Sequence, residues 1–235
     1  SCKSKESNQN SIVEGGKLVP KFQELSPVET GLSFSNDLDI EKLKSVFEYV
    51  NAYNGGGVAV GDFNNDNLQD IFFTGNLVDN KLYFNKGNLK FEDVSDKAGI
   101  KLSGTWCSGV ATADVNNDGF LDILTDQEQS LYLGNGDLTF VPVVTEAKAG
   151  AVGDVNNDGF IDVFRARTLY QNVKNENHWI KFFLTGIQSN KNGIGAKIKV
   201  YTSDNTQTRE LRSGQGYAAM SGLQIHFGLG QQSGV

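Results

Sequence analysis

Short apolar runs rich in β-branched and aromatic residues alternate with polar, turn-forming stretches along most of the chain, which predicts short strands and not helices. One stretch departs from this. Over residues 39–50, Ile40, Leu43, Val46, Phe47 and Val50 fall at helical spacing and predict one amphipathic helix. Residues 1–20 are polar and lack any period, so they read as a flexible tether. Toward the other end, Ala196, Ile198 and Val200 alternate with Lys197, Lys199 and Tyr201, the period-two pattern of a strand with one wetted face.

From residue 55 the pattern also repeats itself. Residues 57–71, 109–123 and 150–163 align on a shared core: an apolar run, then D-F-N-N-D-N-L-Q-D, D-V-N-N-D-G-F-L-D or D-V-N-N-D-G-F-I-D, then a second apolar run. Each is followed by an echo, Leu82-Tyr83-Phe84-Asn85, Leu131-Tyr132-Leu133-Gly134 and Leu169-Tyr170-Gln171-Asn172, which fits a strand, a tight turn and a return strand. One repeat is thus a strand, an acidic loop, a strand and a hairpin, the content of one propeller blade. Three such blades do not close a ring, so the set of blades is incomplete. The expected organisation is a tether over residues 1–20, blades over 21–176 and a separate β domain over 177–235, in a mainly all-β fold.

The loops carry the candidate chemistry. Side-chain oxygens stand at positions 1, 3, 5 and 9 of each loop: Asp62, Asn64, Asp66 and Asp70; Asp114, Asn116, Asp118 and Asp122; Asp154, Asn156, Asp158 and Asp162. Ca²⁺ takes six to eight hard oxygen ligands, which these four, a position-7 carbonyl and water can provide. The carbonyls belong to Leu68, Phe120 and Phe160, whose side chains are expected to face the core. Position 6 needs a left-handed backbone, which Gly119 and Gly159 adopt freely and Asn67 tolerates. An EF-hand requires a Glu at position 12, where this chain has Phe73, Thr125 and Arg165, so that motif is excluded. Ion-free Asx-rich turns are the competing explanation, and three copies in one register weigh against it.

Charge sharpens this picture. The formal net charge is −7, and 9 of the 28 acidic residues lie in the three loops; without them the 21 Lys and Arg would be in slight excess. The acidity is therefore local, and no Lys/Arg cluster marks a nucleic-acid footprint. No apolar run is long enough to form a membrane-spanning helix. Cys2 and Cys107 sit in unlike surroundings and are not expected to pair. Cys2 begins a polar run that resembles the mature start of a bacterial lipoprotein, which makes it the expected lipidation site.

The D-x-N-x-D-G-x-x-D loops between strands resemble the FG-GAP or VCBS repeats of integrin-α-like β-propellers, and residues 55–172 carry that resemblance. Residues Asn177-His178-Trp179, Gly193-Ile194-Gly195-Ala196, Gly214-Gln215-Gly216-Tyr217 and His226-Phe227-Gly228-Leu229-Gly230 look like an ASPIC/UnbV domain. The resemblance implies about three Ca²⁺ sites and a surface module binding protein or glycan partners. With the Cys2 anchor it also implies a bacterial outer-membrane lipoprotein on the extracellular face, of which a subunit of an uptake or secretion complex is an alternative.

An enzyme, such as a calcium-dependent glycan lyase or hydrolase, is the third expectation and the weakest. His178 and His226 lie within apolar β segments, there is no G-x-S-x-G or H-E-x-x-H, and Glu48, Glu92, Glu128, Glu146 and Glu210 are widely spread. Trp106, Trp179 and Tyr217 sit in β patterns where core packing is the expected role.

Overall fold

The computed structural model describes residues 22–38, 55–100, 105–127, 130–188, 190–212 and 222–233, with the paired backbones of Val13–Glu14 (β1) and Lys17–Leu18 (β2). The helix expected over residues 39–50, Cys2 and Tyr217 lie outside the described residues.

A single helical turn, Pro27–Thr30 (α1), follows residues 22–26. Ser26 caps it and Glu29 reaches back to the Ser26 amide, the reciprocal bonding that lets so short a helix persist. Gly31 ends it at φ 83°, where a Cβ would lie 2.1 Å from the Phe91 carbonyl oxygen. The chain then lies along the first blade: Phe34 stacks on Phe73 at 4.9 Å, Ser33 bonds the Tyr83 hydroxyl, and Asn36 exchanges two hydrogen bonds with Asn76.

The blades are antiparallel meanders. The first has Val58–Gly61 (β3), Asp70–Phe73 (β4), Lys81–Asn85 (β5) and Phe91–Asp93 (β6), followed by a helical turn, Ser95–Ala98 (α2). The second has Val110–Ala113 (β7), Asp122–Thr125 (β8), Leu131–Gly134 (β9) and Phe140–Val143 (β10). The third stops at three strands, Ala151–Gly153 (β11), Asp162–Arg165 (β12) and Thr168–Tyr170 (β13). The return strand expected after Tyr170 is absent because the chain leaves through residues 171–177 into the C-terminal strands.

Strand alternation gives each blade two faces. Ala59 and Phe72 are cross-strand partners, as are Ala111 and Leu124, and these pairs point toward the following blade. Between the first two blades they join Phe63, Leu82, Ile123, Tyr132 and Phe140 in one core. Between the second and third, Leu124 meets Val152, Ile161 and Val163. Each such side chain contributes about 1.5–3 kcal/mol by leaving water.

The C-terminal unit is a two-layer β structure. His178–Phe183 (β14) pairs with Gln224–Gly230 (β17), and Lys197–Tyr201 (β15) pairs with Thr206–Glu210 (β16). They enclose Ile180, Phe182, Val200, Leu211, Ile225 and Phe227. In β15 Val200 is buried while Lys197, Lys199 and Tyr201 are exposed, so the wetted face follows the alternation in the sequence.

Candidate metal centre

Each acidic loop runs between the first two strands of its blade and is held by one hydrogen-bond pattern repeated three times. The position-1 carboxylates cap their loops: Asp62 accepts from the amides of Asp66 and Asn67 at 3.0 and 2.9 Å, Asp114 from Asp118 and Gly119 at 3.1 and 2.9 Å, and Asp154 from Asp158 and Gly159 at 3.0 and 2.9 Å. Position 5 repeats the device one step on, with Asp66, Asp118 and Asp158 accepting from Leu68, Phe120 and Phe160 at 2.8, 2.9 and 2.9 Å. The position-3 amides of Asn64, Asn116 and Asn156 donate to the same carboxylates at 3.1, 2.8 and 2.7 Å.

Position 9 lies beneath. Asp70, Asp122 and Asp162 are buried, and each accepts from the position-2 amide (Phe63, Val115, Val155) and from an amide at or just past the end of the next strand (Asn85, Gly134, Asn172). They therefore fasten the loop to its own blade.

The backbone follows the expected left-handed turn at position 6, with Asn67, Gly119 and Gly159 at φ 70°, 95° and 88°. A second left-handed position is absent from the sequence-based expectation: Asn65, Asn117 and Asn157 at position 4 have φ 58°, 59° and 60°. The first two link successive loops. Asn65 donates to the Gly119 carbonyl and Asn117 to the Gly159 carbonyl, both at 3.0 Å. The invariance of N-N at positions 3 and 4 across the three repeats was the available signal. At position 7 only Phe160 is fully buried. Phe120 is half-buried over Gly136, and Leu68, beside Gly87, is exposed.

Burial sets the electrostatics. Desolvation pushes Asp70 and Asp114 up to about 7, against the pull of loop amides, and raises Asp122 well above the carboxylate range. Burial likewise raises Asp62 and Asp118. The first two loops thus hold carboxylates that solvent compensates poorly, in an all-oxygen donor set, and this is the chemistry a hard cation relieves. Among the described residues no three His, Cys, Asp or Glu side chains converge on one point. In the first two loops each of these carboxylate oxygens accepts one hydrogen bond and keeps a further lone pair for an ion, except Oδ2 of Asp114, which accepts from the amides of both Gly119 and Gly228.

The third loop differs. Lys181 Nζ from β14 pairs with Asp154, both buried, and Lys174 pairs with Asp158 at 3.3 Å. On Asp158 burial is outweighed by the Phe160 amide, Asn156 and Lys174, and its pKa falls. The C-terminal unit reaches all three loops: Thr208 donates to the Asn67 side chain at 2.6 Å, the Gly228 amide to Asp114 at 3.2 Å, and His226 Nε2 meets the Gly159 carbonyl at 2.9 Å. Burial lowers the pKa of His226 and also that of the half-buried Arg209, which Asp114 and Asp62 oppose. A cavity of about 240 Å³ lies at this junction, with Asp62, Asp114 and Asp154 on one side and Lys181, Arg209 and His226 on the other.

Trp179 lies across Gly159, where a Cβ would sit 1.6 Å from its ring, and is 37% exposed; core packing accounts for only part of it. His178 is exposed and bonds the Gln232 carbonyl. Glu92 and Glu210 are exposed on separate units, paired with Lys86 and Arg212.

Comparison with known proteins agrees with this architecture. Residues 62–125 match the family model of the FG-GAP-like repeat, and residues 186–235 match that of ASPIC and UnbV. Cartilage acidic protein 1 of Xenopus tropicalis is 40% identical over 76 residues, 32% of this chain and 12% of that protein. The Homo sapiens protein is 38% identical over 76 residues, again 12% of its length, and the Mus musculus protein 39% over 70 residues, 11% of its length. The matched region therefore spans only a small part of these relatives. The third loop lies beyond the FG-GAP match and is joined to the second by the Asn117–Gly159 hydrogen bond. The chain thus carries one segment similar to the FG-GAP-like repeat and another similar to ASPIC and UnbV.

Proposed function

We propose that the chain is a calcium-binding repeat module that presents a stiffened surface to a protein or glycan partner. The observation that carries this is the threefold recurrence of one oxygen-lined loop, with the same amides on the same carboxylates. Asp62, Asn64, Asp66, Asp70 and the Leu68 carbonyl would hold the first ion. Asp114, Asn116, Asp118, Asp122 and the Phe120 carbonyl would hold the second, and Asp154, Asn156, Asp158, Asp162 and the Phe160 carbonyl the third. Bound Ca²⁺ supplies charge compensation to carboxylates crowded within nine residues, and the loop amides keep those carboxylates in place before it arrives.

The test is thermal unfolding in EDTA and across a calcium titration, with magnesium as control. A site with Kd near 10⁻⁵ M in millimolar calcium contributes about 2.7 kcal/mol, which raises Tm by about 5–10 °C for a chain of this size. Asp118→Ala removes the second loop's share. No calcium-specific rise in the intact chain would overturn the proposal.

A further inference from the structure

Each blade offers the same four side-chain positions to its successor. In the first blade these are Ala59, Phe63, Phe72 and Leu82, all in the inter-blade core. In the second they are Ala111, Val115, Leu124 and Leu131, packed against the third blade. In the third they are Ala151, Val155, Phe164 and Leu169, and among the described residues no following blade covers them: Val155 is 60% exposed and Phe164 and Leu169 are each 49% exposed. Asn157 completes the set. Its counterparts Asn65 and Asn117 donate to the next loop's position-6 carbonyl, whereas Asn157 holds the same left-handed turn and is exposed.

The first blade shows the complementary half. Val58 and Val60, cross-strand from Phe73 and Ile71, point away from the second blade and are 52% and 39% exposed. Their repeat counterparts Val110 and Val152 are the residues that seat on a preceding blade. Charge agrees. The end of β12 and the turn after it carry exposed Arg165 and Arg167, while residues 22–38, lying along the first blade, contain Glu24, Glu29 and Asp37 and no Lys or Arg.

We infer that the open face of the third blade binds the first blade of a second copy of this chain, head to tail. Phe164 and Leu169 take up the Val58 side of the partner's first blade, and Asn157 donates to the partner's position-6 carbonyl. The two patches differ, so the contact is heterologous: it closes a ring if the rotation allows and otherwise extends. It buries an apolar sheet face that would otherwise remain in water.

Sedimentation analysis of the full chain over a concentration series tests this. The intact chain shifts from the 25.6 kDa monomer to dimers or larger species as concentration rises. Phe164→Glu with Leu169→Glu blocks one patch and Val58→Glu the other, so each variant alone sediments as a monomer; all three positions are exposed, and unchanged unfolding curves confirm the fold. Mixing the two variants restores a dimer, because one intact patch remains on each. Asn157→Ala, which leaves the apolar face in place, weakens association severalfold. A monomer at every concentration, or association indifferent to these changes, overturns the inference. So does loss confined to the Phe164/Leu169 variant while Val58→Glu still self-associates, since that marks a symmetric contact of two third blades.

Discussion

At the scale of single residues, the asparagines at position 4 carry more of the architecture than their polarity implies. Asn117 is fully buried, holds φ 59° and donates to a carbonyl 42 residues further on. Asn157 holds the same conformation, φ 60°, at an exposed position. The left-handed conformation costs an alanine about 1–2 kcal/mol, and a lost buried hydrogen bond costs about 1–3 kcal/mol more. Asn117→Ala is therefore expected to lower the unfolding free energy by about 2–5 kcal/mol, and Asn157→Ala in the monomer by only the conformational part. Paired urea titrations check this, and equal losses would show that the inter-loop bond contributes nothing. The sequence displayed these asparagines in all three repeats but not their partners, because Gly119 and Gly159 become neighbours only when blades stack. The position-6 turn was legible in advance, since it depends on local backbone sterics alone.

At the scale of the elements, three loops of nearly one sequence acquire different electrostatics from what packs on them. The first two bury carboxylates that desolvation pushes upward, whereas the third has Lys181 on Asp154 and Lys174 on Asp158. An ammonium on a ligand carboxylate competes with a metal ion for the same charge. The third loop is accordingly expected to bind calcium more weakly than the second, and Lys181→Met to strengthen its binding severalfold. Calorimetry on the intact chain and on Lys181→Met, each in an Asp118→Ala background that silences the second loop, reads this directly. An unchanged affinity would mean that Lys181 is displaced without cost. Nothing within the repeat announces the difference, because Lys181 arrives from β14, outside the blades. The order of strand, acidic loop, strand and hairpin was legible in the first two blades, because it follows from local turn chemistry and apolar runs. The missing fourth strand of the third blade was not, because a strand-like echo at Leu169-Tyr170 has no say in whether a partner strand follows.

At the scale of the whole molecule, stability is distributed along a row of blades, and Cys107 reports on it. Its backbone joins the first two blades, donating to the Gly75 carbonyl at 3.1 Å and accepting from Asn76 at 3.0 Å, and its thiol is fully buried. Burial, reinforced by Asp126, pushes the thiol far above its ordinary range, so the reactive thiolate is suppressed until the blades part. A disulfide-exchange reagent is therefore expected to label Cys107 only through opening of the interface between the first two blades. Any ion that binds the closed loops lowers the population of that open state in proportion to its occupancy. Labelling should slow by about a hundredfold if one site with Kd near 10⁻⁵ M closes in millimolar calcium, and magnesium should leave the rate nearly unchanged. A Cys2→Ser background isolates the signal. Slowing that survives Asp118→Ala but disappears with Asp62→Ala would assign the coupling to the first loop alone; a rate indifferent to calcium in every background would separate the loops from the stability of the interface beside them.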